Sequence, residues 1–260
     1  MISIWEKESF FRSQDVIIVG SGFVGLWSAF YLKRKNPLLK ITIVDRGVIP
    51  TGASTRNAGF ACFGSLSELI HDGKTMGNDK MLELVEMRFK GLKRIQKYFC
   101  KKEIDFELCG GYELYTEGDC ISSKLLIQNI DYLNSLLKPV TKTKKTFKRI
   151  DCKIQDFGFG NTKHLIRNKL EGTLHSGKLV QALLQRVQLM GVQIFTNIEI
   201  KDFERVNGKI ELTTNQLFNL TTKQLLICTN AFAKELLPNL DITPVRGEVL
   251  VTSNIKKLSW

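Results

Sequence analysis

The chain has 260 residues, of which 43% are hydrophobic, and a formal net charge of +12. This length is enough for one large domain or two modest ones with a hydrophobic core, and it excludes a disordered chain. Lysine and arginine are spread along the sequence instead of gathering beside aromatic residues. We therefore expect a basic surface and no nucleic-acid partner.

The six cysteines include no Cys-x-x-Cys pair and have no histidine at ligand spacing, so the sequence predicts no bound metal. We expect reduced thiols, as in cytoplasmic proteins. The N-terminal residues lack the apolar run of a signal peptide, and no window reaches the roughly 18 apolar residues of a membrane span. These features predict a cytoplasmic protein, with peripheral membrane contact left open.

The first predicted elements form a βαβ unit. Residues 16–19 and 41–44 are rich in β-branched side chains, which is typical of buried parallel strands. Between them, large apolar residues recur at three- and four-residue spacing from Phe23, which predicts a helix. That helix must end by Asn36, because Pro37 disfavours helical geometry in the residue before it.

The first turn of this unit has the sequence Gly-Ser-Gly-Phe-Val-Gly. Its glycines permit a tight turn, close approach to a diphosphate and helix–strand packing, while the helix N-terminus adds N–H donors. The second strand ends in an aspartate, which can accept ribose hydroxyls and would repel a 2'-phosphate. An ordinary glycine turn is the alternative. The pattern predicts a site for FAD, NAD or another nucleotide, formed by Gly20, Ser21, Gly22, Phe23, Val24, Gly25, Asp45 and Arg46.

The segment Thr-Gly-Ala-Ser-Thr-Arg-Asn-Ala-Gly at residues 51–59 distinguishes these nucleotides. Its small residues permit close approach, and Arg56 and Asn57 offer donors to phosphate and flavin oxygens, although a solvated loop would look similar. The segment resembles the "ASGRNGG"-like segment of FAD-dependent oxidoreductases of the D-amino-acid oxidase and glycine oxidase type, which follows the FAD diphosphate and ribityl chain. Thr55 stands where this family often has glycine. The resemblance implies FAD contacts at Ala53, Ser54, Thr55, Arg56, Asn57, Ala58 and Gly59.

Three later segments extend the resemblance. A predicted helix at residues 179–190 ends at Gly191 and leads to a strand, where the family places the adenine against the backbone. The Thr-Asn-Ala turn at 229–231 resembles a family turn beside the FAD diphosphate. Residues 241–252 resemble a family strand that passes near the flavin and enters the substrate domain. The contacts implied here are Ile200, Thr229, Asn230, Ala231 and Arg246.

The resemblance also implies the domain organisation. A long amphipathic helix is predicted at residues 81–101, and a strand pattern follows it, where the family chain leaves its FAD domain. We expect an α/β fold with a Rossmann-like FAD-binding domain at residues 1–104 and 166–237. A smaller, discontinuous antiparallel substrate domain is expected at 105–165 and 238–260, incomplete at its C-terminal end.

The implied activity is oxidation of a small amine or amino acid by hydride transfer to flavin N5, with oxygen or an electron carrier as final acceptor. The cofactor carries this chemistry, so no catalytic side chain is nominated. Tyr112, Tyr115 and Arg246 are candidates for lining the flavin's substrate face, and His175 is expected to cap or pack at the start of its helix. Two alternatives remain open. One is a truncated or split-chain remnant that needs a partner chain, and the other is an NAD-dependent dehydrogenase.

Overall fold

The structure is a computed structural model that describes residues 2–119, 121–245, 247–250 and 252. Its helices are α1 (Ile4–Ser9), α2 (Phe23–Lys35), α3 (Leu66–Met76), α4 (Asn78–Tyr98), α5 (Ser123–Thr141), α6 (Ile154–Phe157), α7 (Ser176–Leu189) and α8 (Ala233–Leu236). Its strands are β1 (Gln14–Val19), β2 (Ile41–Val44), β3 (Phe60–Ala61), β4 (Gly111–Thr116), β5 (Phe147–Arg149), β6 (Thr162–Asn168), β7 (Gly172–Thr173), β8 (Gln193–Phe195), β9 (Ile200–Val206), β10 (Lys209–Thr214) and β11 (Asn219–Ile227).

The described chain divides into two compact units. The first unit contains the described residues up to Asn57 together with Ser176–Val249, and the second unit contains Ala58–His175 and the described residues from Leu250. The chain therefore first passes from one unit to the other after Asn57, whereas the predicted functional boundary lies at residue 104. The assignment of FAD and substrate domains stays a prediction.

The first unit is built on a mixed sheet with the strand order β8-β2-β1-β11-β10-β9. Strands β8, β2, β1 and β11 are parallel, and β10 runs antiparallel to both of its neighbours. The predicted βαβ unit is confirmed as β1, α2 and β2. Helix α2 ends at Lys35, and Asn36 is extended because Pro37 follows it.

The core beside this sheet explains why β1 and β2 read as nearly continuous apolar runs. Ile17, Val19 and Val44 pack with Leu212 and Leu220, and all are buried. Parallel strands with both faces covered carry apolar side chains on both sides. Each such side chain contributes roughly 1.5–3 kcal/mol through burial, which fixes the strand ends that carry the candidate site.

The second unit contains an antiparallel sheet with the order β4-β6-β5 and a short antiparallel pair, β3 with β7. Helices α3, α4 and α5 pack together, and α5 also lies against β5. Their apolar faces close over one sheet face, which has Tyr115, Phe147 and Ile166 on it. The buried residues of this core are Phe63, Leu66, Leu69, Met81, Val85, Tyr115, Leu126, Ile130, Leu133, Leu137, Phe147 and Ile166.

Two predicted elements differ from the structure. The long helix covers Asn78–Tyr98 instead of 81–101, because Phe99 is already extended. The strand prediction for residues 241–252 was wrong for the part that the structure describes, where no strand forms. Pro244 cannot donate to a strand ladder, and Val245 is 89% exposed, so no burial favours an extended pair. Arg246 lies outside the described residues.

Within the described ranges, no helix is both long and apolar enough to cross a membrane. The described cysteines, Cys62, Cys100, Cys109, Cys152 and Cys228, are free thiols.

Candidate nucleotide-binding site

The turn between β1 and α2 is packed so tightly that two positions accept only glycine. Gly20 has a φ of 106° and its N–H donates to the Val44 carbonyl oxygen at 2.8 Å. A Cβ at Gly20 would lie 2.5 Å from the carbonyl oxygen of Cys228, and one at Gly25 would lie 2.0 Å from the carbonyl oxygen of Gly20. The turn therefore presses the N-terminus of α2 against the ends of β1 and β11.

Asp45 binds this turn from the end of β2. Its Oδ2 accepts a hydrogen bond from the Ser21 N–H at 2.8 Å and another from the Ser21 hydroxyl. Its Oδ1 accepts the Gly47 N–H at 2.9 Å. The predicted ribose-binding carboxylate thus also orients the glycine turn and the loop that follows β2.

The segment 51–57 is joined to the same turn through Ser54. The Phe23 N–H, at the start of α2, donates to Ser54 Oγ at 2.9 Å. A Cβ at Gly22 would lie 3.0 Å from that oxygen, so Gly22 leaves the room that Ser54 uses. Ser54 therefore occupies one donor at the helix N-terminus.

Within this segment, the side chains of Thr55 and Asn57 hold the backbone. Thr55 Oγ1 donates to the Pro50 carbonyl oxygen at 2.8 Å, and Asn57 Nδ2 donates to the carbonyl oxygens of Ala53 and Ser54 at 3.0 Å each. Asn57 Oδ1 accepts the Ser176 hydroxyl at 2.6 Å, which ties the segment to the start of α7. Arg56 is exposed.

The Thr-Asn-Ala turn follows β11 and lies beside the glycine turn. The Cys228 N–H donates to the Val19 carbonyl oxygen at 2.8 Å, so the ends of β1 and β11 are level. Asn230 has a φ of 50° and starts the short 3-10 turn that contains Ala231. Thr229 Oγ1 is buried and has no hydrogen-bond partner among the described residues.

Arg46, directly after Asp45, is held by residues that follow this turn. Its guanidinium carbon lies 4.0 Å from the centre of the Phe232 ring, and its Nη1 is 3.1 Å from Glu235 Oε2. The strand order of the sheet thus brings Gly20–Gly25, Asp45, Arg46, Ser54 and Thr229–Ala231 to one edge of the first unit.

The family model of FAD-dependent oxidoreductases called DAO matches residues 15–260. The chain belongs to the DAO family. The match begins at the first residues of β1 and covers both units, so the family assignment does not depend on the glycine motif alone.

Known proteins similar to this chain include several that are longer. The bifunctional protein ThiO/ThiG of Synechocystis sp. is 23% identical over 241 residues, which cover 92% of this chain and 33% of that protein. An L-amino acid deaminase from Proteus vulgaris that lacks its specific insertion has a TM-score of 0.65 at 19% identity, over 88% of this chain and 56% of the deaminase. Glycine oxidase from Bacillus cereus has a TM-score of 0.59 at 19% identity, over 87% of this chain and 58% of the oxidase. At these identities the structural likeness shows the fold.

The residues at the sheet edge fit the FAD on which the DAO family depends. Gly20 and Gly25 bring the start of α2 close to the strand ends, where N–H groups and positive potential favour a diphosphate. The buried Thr229 hydroxyl still needs a partner, since an unpaired buried hydroxyl costs about 1–3 kcal/mol. A ligand oxygen or nitrogen at this edge would supply that partner.

The other residues predicted for the DAO-type site differ in how exposed they are and in the unit to which they belong. Ile200 is 6% exposed and packs into the core with Ile17, so only its backbone is available to a ligand. Val24 is 69% exposed at the start of α2. Ala58 and Gly59 are the first residues of the second unit.

The two tyrosines predicted to line the flavin both lie on β4 in the second unit. Tyr112 is 43% exposed and its hydroxyl donates to the Cys109 carbonyl oxygen at 3.2 Å. Tyr115 is 8% exposed and donates to Glu113 Oε1 at 3.2 Å. Burial and the Glu113 carboxylate raise the pKa of Tyr115 far above its usual range, so its phenol stays protonated.

His175 directly precedes α7 and is exposed. Its backbone N–H donates to the Ile104 carbonyl oxygen at 2.8 Å. Sequence reasoning missed Ser176, Phe232 and Glu235 as partners of the predicted site residues. The Ser-Gly-Lys start of α7 is a helix-start signal that could have indicated Ser176. Nothing local in the sequence joins Arg46 to residues 186 or more positions away, since that contact depends on strand order.

Proposed function

We propose that this chain binds FAD at the carboxyl edge of β2, β1 and β11, and that the flavin oxidises the CH–NH group of a small amine or amino acid. The observation that carries the proposal is the unpaired, buried Thr229 hydroxyl beside the glycine turn, in a chain of the DAO family. The L-amino acid deaminase and glycine oxidase among the similar structures support an amino-acid substrate.

Each group at the edge has a role in this proposal. The N-terminus of α2, after Gly20–Gly25, faces the diphosphate, and Asp45 accepts the ribose hydroxyls. Residues 53–59, including Arg56, follow the diphosphate and ribityl chain, while Thr229–Ala231 close the other side. The Ile200 backbone meets the adenine, and Arg246 lies near the flavin.

The predicted substrate domain supplies the substrate side of the proposal. Residues 105–165 and 238–260 form the substrate domain, and the exposed Tyr112 lines the flavin's substrate face. Tyr115 is buried in the core of the second unit, so it is not assigned to that face. When bound, FAD supplies the hydride acceptor at N5 and passes the electrons to oxygen or an electron carrier. The protein's part is to bind, orient and exclude water, so no proton-transferring side chain is assigned.

The test begins with cofactor binding. The purified chain is mixed with FAD, freed of excess, and its visible spectrum is recorded; we expect flavin absorption that stays with the protein. Anaerobic addition of small amines and amino acids should then bleach that absorption. Colourless protein would overturn the FAD proposal, and NADH binding without flavin would replace it with a nicotinamide-dependent activity.

Thr229→Val tests the hydroxyl specifically, because valine has nearly the shape of threonine and carries a methyl group in place of the hydroxyl. We expect the FAD affinity to fall by about tenfold, the value of one lost hydrogen bond of about 1.4 kcal/mol. The FAD-free protein should be at least as stable as wild type, because an unpaired buried hydroxyl has been removed. Ser135→Ala, an exposed change on α5, is the matched control and should alter neither property.

A further inference from the structure

The second unit contains three polar side chains, linked by hydrogen bonds, that the proposed FAD chemistry does not use. Ser123 Oγ lies 3.1 Å from His164 Nε2, and His164 Nδ1 lies 2.9 Å from Asp151 Oδ2. Serine, histidine and aspartate linked in this order, through these two ring nitrogens, are the arrangement that activates a serine hydroxyl in serine hydrolases. Such sites are recognised by geometry and not by chain order.

The hydrogen bonds define which way each proton points. Asp151 Oδ1 accepts the Leu165 N–H at 3.0 Å, and Oδ2 accepts Arg149 Nε at 2.6 Å. Burial opposes ionisation, but the Leu165 N–H, His164 and Arg149 outweigh it and hold the pKa of Asp151 below its usual value. A carboxylate only accepts hydrogen bonds, so His164 Nδ1 carries a proton, and in the neutral imidazole Nε2 then accepts from Ser123.

The elements hold these groups rigidly. His164 lies on β6, the central strand of its sheet, and its side chain is only 4% exposed. Asp151 begins the 3-10 turn after β5, and its carboxylate is held by the Leu165 N–H and the Arg149 guanidinium. The imidazole therefore cannot turn away from the serine without losing the bond to the carboxylate.

Ser123 is the first residue of the long helix α5, and the residue is half-buried. Ser122 caps the helix by accepting the Leu125 N–H at 3.2 Å. The first N–H groups of a helix have no carbonyl partner in a preceding turn and lie in positive potential. They are suited to stabilise the negative oxygen that forms when a serine attacks a carbonyl group.

We propose that Ser123, His164 and Asp151 form a second active site that hydrolyses small carboxylic esters. Ser123 Oγ bonds to the carbonyl carbon while its proton moves to His164 Nε2. The ester C–O bond then breaks, and the leaving alcohol takes that proton. Water repeats the sequence, which releases the carboxylic acid and restores the serine, so no oxidant or reductant is consumed.

The test uses a fluorophosphonate probe, which reacts with activated serines, on the whole chain with and without FAD. We expect one adduct, mapped by peptide mass spectrometry to Ser123, in both conditions. It should be absent in Ser123→Ala and retained in Ser135→Ala, a change on the exposed face of the same helix. Because flavin is not needed, the result is independent of the proposed FAD activity.

A second measurement separates activation from simple reactivity. Hydrolysis of p-nitrophenyl acetate should fall by about a hundredfold in Ser123→Ala and by at least about tenfold in Asp151→Asn, with circular dichroism used to confirm that both variants are folded. A folded wild-type protein that forms no adduct at Ser123 would overturn the proposal. So would ester hydrolysis that is unchanged in both folded variants, because a serine that only satisfies a buried histidine would give that result.

Discussion

At Gly25 the backbone leaves no space for even a methyl group, since a Cβ would lie 2.0 Å from the Gly20 carbonyl oxygen and 3.2 Å from Ile18 Cγ2. Gly25→Ala must therefore push the start of α2 away from β1. We expect the free energy of unfolding to fall by about 1–3 kcal/mol and the FAD affinity to fall with it, as measured by urea unfolding and flavin fluorescence titration.

Gly160→Ala is the control for that substitution, because nothing lies within 4 Å of the added Cβ and Gly160 is not one of the proposed FAD-binding residues. It should keep wild-type stability and affinity. A Gly25→Ala protein that binds FAD as tightly as wild type would contradict the assignment of this turn to the diphosphate.

The side chain of Glu171 makes the free energy of unfolding depend on pH. Its carboxylate is buried, and Oε1 accepts the N–H groups of Phe63 and Gly64 at 2.9 and 3.2 Å. Burial raises the pKa of Glu171 above its usual value, although the two N–H donors oppose this shift. A group whose pKa is higher in the folded protein than in the unfolded chain contributes its full stabilisation below the unfolded-chain pKa. That contribution is lost as pH rises through the pKa of the folded protein.

Glu171→Gln should reveal this loss, because glutamine stays neutral and keeps an acceptor oxygen. The unfolding free energy of the variant minus that of wild type should increase as pH rises above about 4.5, by about 1.4 kcal/mol for each unit of raised pKa. Urea unfolding between pH 4.5 and 8 measures the difference. A difference that does not change with pH would show that Glu171 ionises normally.

At the scale of elements, Asn134 joins helix α5 to the edge strand β5. Its Nδ2 donates to the Phe147 carbonyl oxygen at 3.0 Å and its Oδ1 accepts the Phe147 N–H at 2.9 Å, as a neighbouring strand would. Asn134→Ala leaves both buried backbone groups unpaired and should lower the free energy of unfolding by about 2 kcal/mol or more. In the same urea experiment, Ser135→Ala should stay within about 0.5 kcal/mol of wild type. Equal stabilities of the two variants would contradict a structural role for Asn134.

The elements that the sequence predicted well are those defined by local pattern. The βαβ unit carries its own signals, namely β-branched strands, a glycine turn and Pro37 after the helix. The strand at residues 241–252 was expected only from the resemblance to a family strand, and a strand needs a neighbour to pair with, which a local resemblance does not provide.

The candidate site was predictable only in part, for the same reason. Gly20–Gly25 and Asp45 belong to one short unit and could be placed from their spacing. The contacts of Arg46 with Phe232 and Glu235, and of Asn57 with Ser176, depend on the order of strands in the sheet. So does the hydrogen-bonded chain of Ser123, Asp151 and His164, whose members belong to three separate elements.

For the whole molecule, FAD should act as a stabilising ligand. A ligand that binds only the folded state, at a hundredfold excess over its Kd, adds about 2.7 kcal/mol to the free energy of unfolding. For a chain of this size we expect the Tm to rise by about 5–10 °C, as measured by a thermal melt with and without FAD. NAD at the same concentration is the control, and a Tm that FAD leaves unchanged would argue against a folded-state site.

The pairing of β1 with β11 also has a consequence for biosynthesis. Gln14 and Thr222, which pair in this ladder, are 208 residues apart in sequence. While the ribosome is still translating the middle of the chain, β1, α2 and β2 can form without the strand that lies on the other side of β1. The emerging protein must therefore keep the exposed edge of β1 from aggregating until β11 has left the exit tunnel, and chaperone binding during translation should be strongest in that interval.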